Sequence, residues 1–426
     1  MSPNKRISVF LISICVITSG CSSKNNLTTI SPRPSATESS SPTQIPSSSP
    51  APTASPTPTP DPIQEQIKLM TLDEKIGQMV IVGVEGTAVS EQTRDLIDHY
   101  HVGGIILYSN NIVNKTQTTD FLNELKQANT NLNKVPLWLG VDQEGGRVSR
   151  MPNEYTKLPT NRAIGKINKP EFSNKLGNIL GKELQSVGFN MDYAPVMDIN
   201  SNPNNPVIGD RSFGADANLV SKLGVQTMLG IQAQKIAAVV KHFPGHGDTS
   251  VDSHLDLPIV QTDLKRLRSF EWLPFEAAID NNVDAVMVAH ILLPKIDPDH
   301  PASFSKTVIT DYLRNELKFN GVVMTDDMTM GGIVNHYELK DAAAQSINAG
   351  SDVIMVAHEY EKAKEVLSNL KSKVETGELP EERINQSVYR ILKLKLKYAI
   401  QDQALENTDI TPINDEIKRV LKQYMK

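Results

Sequence analysis

Eight short apolar, β-branched runs alternate with longer amphipathic stretches, and this alternation constrains the fold more than any other feature of the chain. The runs lie at 78–84, 103–108, 136–142, 189–198, 236–242, 284–291, 321–326 and 352–358. Segments such as Ile236-Ala237-Ala238-Val239-Val240 and Val322-Val323-Met324-Thr325 are nearly continuous in apolar residues, as in strands buried on both faces of a parallel sheet. Between the runs, the periodicity predicts helices over 119–132, 169–187, 218–234, 263–280, 305–318 and 338–349. Asp263 and Ser305 are placed as N-caps, Gly188 and Gly350 as stops. Eight such units in series point to a closed (β/α)8 barrel rather than an open sheet. Gly83-Val84-Glu85-Gly86, after the first run, lacks the third glycine and the helix start of a dinucleotide loop. The barrel is expected over 62–400 and a helical tail over 401–426, with helices at 381–398 and 412–425 packing on the barrel exterior.

The residues ahead of the barrel read as an address. Lys5-Arg6, an apolar run over 7–17 and Ser19-Gly20-Cys21 form a secretory signal, and the run is too short to span a bilayer, which takes about 20 residues. Ser19-Gly20-Cys21 resembles a bacterial lipobox, so residues 1–21 are expected to direct export and to leave Cys21 carrying a lipid. Between Ser31 and Pro60, 23 of 30 residues are Ser, Thr or Pro, a composition that cannot bury a core and stays extended. Residues 22–61 are therefore read as a spacer that lifts the barrel off the outer face of a membrane. Cys15 and Cys21 are the only cysteines, which excludes thiolate metal sites and a cysteine nucleophile from the folded part. A net charge of −6 argues against nucleic acid, whose phosphates require a basic face.

Catalytic groups of such a barrel come from the carboxyl ends of its strands, and here those ends are rich in polar side chains. The third leads into Asp142-Gln143-Glu144-Gly145-Gly146-Arg147, and the fourth into Asp198 and the loop Gly209-Asp210-Arg211-Ser212-Phe213-Gly214. The fifth leads through Lys241-His242-Phe243-Pro244-Gly245-His246 to Asp252-Ser253-His254; the last three end at His290, Asp326-Asp327 and His358. His242, His246, Asp252 and His254 could be read as metal ligands, but Pro244, Gly245 and Gly247 disfavour the helix on which a His-x3-His spacing has meaning. No Gly-x-Ser-x-Gly elbow is present. Carboxylate chemistry remains, and its main home is glycoside hydrolysis, in which one carboxylate attacks the anomeric carbon while an acid protonates the departing oxygen.

The string Lys241-His242-Phe243-Pro244-Gly245-His246-Gly247-Asp248-Thr249-Ser250-Val251-Asp252-Ser253-His254-Leu255-Asp256-Leu257-Pro258 closely resembles the signature of the β-N-acetylglucosaminidases of glycoside hydrolase family 3, which trim peptidoglycan fragments. The stretches 141–147, 209–214 and 323–330 are similar to the same family, in its order. The resemblance implies a barrel, retention of configuration, no metal and no cofactor. It assigns Asp326 as nucleophile in preference to Asp327, since neighbouring strand residues face opposite ways and only one of the two should reach substrate. His254, oriented by Asp252, is similar to the family's acid/base, and Gly245 and Gly247 suggest a mobile loop that carries it. Asp142, Arg211, Lys241 and His242 resemble the sugar-gripping set, with Glu144, Asp198, Asp210, His246 and His290 supporting the shape of the site. The expected partners are a carbohydrate, namely peptidoglycan fragments, and a membrane through Cys21. Other readings are a β-glucosidase or β-xylosidase of the same family, a phosphorylase that uses phosphate in place of water, and a non-catalytic sugar-binding lipoprotein. The stretch after residue 400 is too short for the second α/β domain that some relatives carry, so barrel loops are expected to complete the site.

Overall fold

The computed structural model describes residues 61–131 and 133–425; the expected signal, Cys21 and almost all of the spacer lie outside them. Strands β1 (Val80–Gly83), β2 (Gly104–Leu107), β3 (Trp138–Val141), β4 (Met191–Asp192), β5 (Ala237–Phe243), β6 (Ala285–Val288), β7 (Val322–Asp327) and β8 (Val353–Val356) close into one parallel barrel in chain order, with β8 pairing back onto β1. Each expected run thus overlaps one strand of the barrel, β5 and β7 continuing one residue past their runs. The strands are buried almost throughout, because helices cover their outer faces and side chains fill the interior.

The fourth run departs most from expectation. Its ten residues pair regularly only over Met191 and Asp192. Pro195 has no N–H for a ladder, but the chain stays beside β5: Lys241 donates its N–H to the Pro195 carbonyl at 3.3 Å and Met197 donates to that of Lys241 at 2.6 Å. Asp198 therefore still arrives at the carboxyl end. Among the helices, Pro170–Gln185 and Ala217–Ala233 pack backbone to backbone at Gly177, where a Cβ would lie 2.2 Å from the Thr227 carbonyl. The stretches Leu267–Glu271 and Thr307–Glu316 wind as π-helix rather than α-helix. Asp263 and Ser305 do cap their helices, accepting from the Arg266 and Val308 N–H groups.

The amino end of the barrel is closed by ion pairs. Helix Glu381–Lys397 does more than cover the exterior, because its cations reach under the strands. Lys395 is buried and donates to Gln78 Oε1, the Gly103 carbonyl and the Pro136 carbonyl at 2.7, 2.9 and 2.6 Å. Three acceptors match the three N–H bonds of an ammonium, but none of them is charged, and burial lowers Lys395 to about 7. Asp352, just before β8, meets Arg314, Arg383 and Arg390 at 2.5, 3.3 and 3.2 Å. Asp284, just before β6, takes Lys397 Nζ and the Tyr398 hydroxyl, each at 2.5 Å. This end reads as stability, which leaves the opposite end for chemistry. The last helix, Thr411–Tyr424, docks on Pro170–Gln185, with Tyr424 stacked on Phe172 at 4.8 Å. Among the described residues no helix is long and apolar enough to cross a membrane.

Candidate active site

A cavity of about 250 Å³ opens at the carboxyl end of the strands, and Asp142, Arg211, Lys241, His242, Asp252, His254 and Asp326 all line it. All seven residues singled out by the sequence are thus brought to one place. Two local irregularities make this possible. In β5, three steps from Val240 to Phe243 face two steps from Val286 to Val288 in β6. In β7, three steps from Met324 to Asp327 face two from Val353 to Met355 in β8. Each strand carries one extra residue, as in a β-bulge, and bulges re-aim side chains. Consecutive residues therefore reach the cavity twice, Lys241 with His242 and Asp326 with Asp327.

This corrects one expectation. Strict alternation was to leave only one of Asp326 and Asp327 facing substrate, yet both line the cavity. What separates them is hydrogen bonding. Asp327 accepts from Thr329 N–H at 2.9 Å, Thr329 Oγ1 at 2.6 Å and Ala357 N–H at 2.9 Å, so its carboxylate ties the end of β7 to the end of β8. His290 also holds this turn. Its Nε2–H donates to the Asp327 carbonyl at 2.9 Å, and its Nδ1 faces Ser303 Oγ at 2.8 Å. Asp326 receives one internal hydrogen bond, from Asp327 N–H at 2.9 Å, and its remaining lone pairs are directed at the cavity. Burial would raise its carboxyl, but His242, His290 and His254, with that N–H, outweigh it and hold Asp326 at about 2. It is an anion at neutral pH.

The floor of the cavity is a chain of buried charges. Arg211 grips Glu144 with two parallel bonds, Nε to Oε2 at 2.9 Å and Nη2 to Oε1 at 2.7 Å. Lys241 Nζ lies 2.9 Å from Glu144 Oε1 and 2.5 Å from Asp142 Oδ1. Burial alone would neutralise Glu144, but the two cations prevail and hold its carboxyl far below the usual range. The same carboxylates raise Lys241 and Arg211 against their own burial. Glu144, Lys241 and Arg211 are therefore fixed as ions in fixed positions, the arrangement that a polyhydroxylated ligand needs for oriented donors and acceptors.

The histidines divide by partner. His242 Nδ1 lies 2.6 Å from Asp198 Oδ2, and the other Asp198 oxygen takes the His246 N–H at 2.7 Å. Burial would raise Asp198, but His242 and His246 keep it below its ordinary value. His246 spends both ring nitrogens on Thr249 Oγ1 and Ser253 Oγ, at 2.8 and 3.0 Å, and burial beside His242 lowers it to about 4. It is a neutral strut. His254 is different. Its side chain is 63% exposed at the mouth of the cavity and its Nδ1 lies 2.7 Å from Asp252 Oδ1, so the outer nitrogen, Nε2, is left free. Asp252 also takes the His254 backbone N–H at 2.9 Å; these bonds overcome partial burial and lower its carboxyl. Of the four residues considered as metal ligands, Asp252 and His254 turn to each other while His242 and His246 turn to other partners, and among the described residues no three His, Asp or Glu side chains converge as a metal cluster.

The glycines of the fifth loop have a packing reason. A Cβ on Gly247 would lie 1.7 Å from the Ile199 carbonyl, and Gly245 has φ of +130°. Further along, the loop is pinned by Gly331 and Gly332, whose N–H groups donate to the carbonyls of His254 and Ser253 at 3.1 and 3.0 Å. Asp210 stays at the rim, paired with Arg147 at 2.8 Å. The sequence reading gave no role to several residues that line the cavity. Tyr108 and His358 stack at 5.1 Å and 28° and line the cavity together, as do Arg150 and Tyr193. His358 was visible only as a strand-end residue, whereas Tyr108 and Tyr193 sat within apolar runs and carried no separate signal. Arg150 lies three residues beyond the stretch 141–147.

A barrel with one carboxylate left free at the end of β7 and a His–Asp pair on the loop after β5 is a glycosidase arrangement, and the comparisons agree. Residues 71–394 match the model of the glycosyl hydrolase family 3 N terminal domain. The chain belongs to glycoside hydrolase family 3. It is 34% identical over 357 residues to beta-hexosaminidase A of Pseudoalteromonas piscicida, across 78% of this chain and 60% of the relative. It is also 34% identical to the beta-hexosaminidase of Nitrosomonas eutropha, across 74% of this chain and 91% of the relative. Among solved structures, the family 3 β-N-acetylglucosaminidase of a Paenibacillus species superposes with a TM-score of 0.79 at 41% identity, over 83% of this chain and 69% of the other.

Proposed function

We propose that the protein is a retaining exo-β-N-acetylglucosaminidase that releases N-acetylglucosamine from peptidoglycan fragments. The observation that carries this reading is the convergence on one cavity of a free, ionised carboxylate and an aspartate-oriented imidazole, Asp326 and His254. Asp326 attacks the anomeric carbon as the bond to the leaving oxygen breaks, forming a glycosyl-enzyme. His254 gives the leaving oxygen its proton from Nε2 and then takes one from the incoming water. Asp252, bonded at Nδ1, fixes the tautomer and stabilises the imidazolium that donates in the first step and forms again in the second, His254 being neutral in between, the role a carboxylate plays toward histidine in other hydrolases. Asp142, Lys241, Arg211 and His242 hold the ring hydroxyls. A cavity of about 250 Å³ is small for a ligand cleft, where about 300–1,000 Å³ is usual, and suits a single terminal sugar.

Export, lipidation at Cys21 and a location on the outer face of the membrane belong to this proposal and rest on the sequence alone. The high exposure of His254 suits an acid that moves onto the leaving oxygen once substrate is seated. The test is steady-state turnover by the full chain of an aryl β-N-acetylglucosaminide and of the matching β-glucoside, with and without phosphate. Selective release of the acetamido sugar in water is the expected result. A phosphate requirement would make the enzyme a phosphorylase, preference for the glucoside would make it a β-glucosidase, and sugar binding without turnover would make it a binding protein.

A further inference from the structure

The loops after β4 and β5 meet at a buried amide, that of Asn205. Its Oδ1 accepts from the Val207 and Ile208 N–H groups at 2.9 and 2.8 Å. Its Nδ2 donates across to the second loop, to the His246 carbonyl at 2.9 Å and to Thr249 Oγ1 at 3.2 Å. These four bonds use both donors and both lone pairs of the amide. On its own side, Asn205 holds the turn that carries Arg211, whose backbone N–H donates to the Ile208 carbonyl at 2.9 Å. On the far side, its bonds run on toward the catalytic pair. Thr249 Oγ1 lies 3.1 Å from the His246 carbonyl, and two oxygens that close need a proton between them, which the hydroxyl alone can supply. Toward Asn205 and toward His246 Nδ1, at 2.8 Å, Thr249 Oγ1 therefore accepts. The ring proton of His246 is thus on Nδ1, and Nε2 is left to accept from Ser253 Oγ at 3.0 Å. Ser253 stands between Asp252 and His254 in the chain.

We propose that Asn205 is a positioning residue that sets the loop carrying Asp252 and His254 in register with the wall carrying Arg211. This rests on the glycosidase reading above and adds to it a residue outside the cavity. The acid loop has little apolar anchorage of its own, since Val251, Leu255 and Ile259 are exposed, so hydrogen bonds are left to place it. Asn202 also reaches this loop, through its Nδ2 to the Thr249 carbonyl at 3.0 Å and its N–H to the Gly247 carbonyl at 3.2 Å. Loss of the Asn205 donors should therefore shift the acid loop without detaching it.

The experiment measures kcat/KM for a methyl and for a 2,4-dinitrophenyl β-N-acetylglucosaminide in the full chain, as wild type, Asn205→Asp and Asn205→Ser. Asp keeps the two acceptor bonds and sets an anion against the His246 carbonyl. Ser brings no charge, can still accept from nearby backbone N–H groups in a turn, and is too short to reach the second loop. The methyl leaving group needs a proton from His254 and the dinitrophenolate does not, so only the first substrate reads the placement of the acid. Both variants are expected to lose about 100-fold on the methyl glycoside, the cost of a displacement of about 1 Å, and far less on the dinitrophenyl one. Equal losses on the two substrates, or wild-type kinetics on both, would overturn the proposal. Should Asn205→Asp fail to fold, as read by thermal unfolding, Asn205→Ser decides by the same comparison. A wild type that cleaves neither substrate would instead overturn the glycosidase reading, and this assignment with it.

Discussion

Replacing Glu144 with glutamine tests whether the charged floor is what holds the sugar-gripping cations. The carboxylate accepts two bonds from Arg211, at 2.9 and 2.7 Å, and faces Lys241 at 2.9 Å. The amide is isosteric, so no cavity is made, but it lacks the charge and turns an N–H toward a cation. One buried cation then loses its partner, and breaking a buried pair in this way costs about 3–5 kcal/mol. At about 2 °C per kcal/mol for a domain of this size, the melting temperature should fall by roughly 6–10 °C. Released from their common anchor, Arg211 and Lys241 should drift, and a misplacement of about 1 Å lowers kcat/KM on the order of 100-fold. The assay is thermal unfolding beside turnover of the aryl acetamido substrate. The stability gap also has a pH signature. Glu144 is held below its ordinary value of 4.5, so the unfolded chain binds its proton first and the wild-type advantage is full above that value. The advantage shrinks as pH falls toward the lowered one. Wild-type melting and turnover in Glu144→Gln would show that other groups position Arg211 and Lys241.

Asp326→Asn should lower turnover by several orders of magnitude while sugar binding, measured by calorimetry, is retained; slow but complete turnover would reassign the nucleophile. His254→Ala should lose far more on substrates with poor leaving groups than on those with good ones, and equal losses would remove it from the acid role. Glu183 is buried with one side-chain partner, Gln143 Nε2 at 3.1 Å, and burial raises its carboxyl to about 8. Between about 4.5 and 8 the folded state keeps a proton that the unfolded chain has lost, so this group makes stability fall as pH rises through that window. Glu183→Gln should therefore gain stability relative to the wild type at pH 8 but not at pH 5, as read by denaturant unfolding; parallel profiles would show that Glu183 is ionised in the folded protein.

The barrel was legible because it is written locally. Burial on both faces imposes continuous apolar runs, and a crossover helix imposes its own period, so eight units can be counted along the chain. Most helices were found within a few residues, but those at Pro62–Leu69, Leu72–Gln78, Glu91–Asp98, Asn161–Ile167 and Tyr360–Glu375 were not; the first four are too short to show a period, whereas the last buries Ala363, Val366, Leu367 and Leu370 at helical spacing and was legible. Pro195 showed where regular pairing of the fourth strand stops only after its neighbour β5 was in place. The helix Glu381–Lys397 was visible as a helix, but nothing in its period disclosed that Arg383, Arg390, Lys395 and Lys397 neutralise or plug the amino ends of the strands.

The candidate site divides in the same way. Its membership could be drawn from the sequence, because functional residues of a barrel follow the strands and here form contiguous polar strings: Asp142 and Glu144, Lys241 to His254, Asp326 and Asp327. Their division of labour could not. Asp327 is tied to Thr329 and Ala357 and Asp326 is not; the sequence shows only two adjacent aspartates. Lys241 and His242 share a cavity because one extra residue interrupts β5, and a register shift exists only between two strands. Arg150 differs from Arg147 and Arg211 in lacking a carboxylate, which depends on loops more than sixty residues apart for Arg147 and Arg211. Period and composition are properties of a segment, so the chain determines its strands, helices and polar rim by itself. Pairing of buried charges is a property of distances across the barrel, where desolvation makes each partner decisive, and only the tertiary structure settles it.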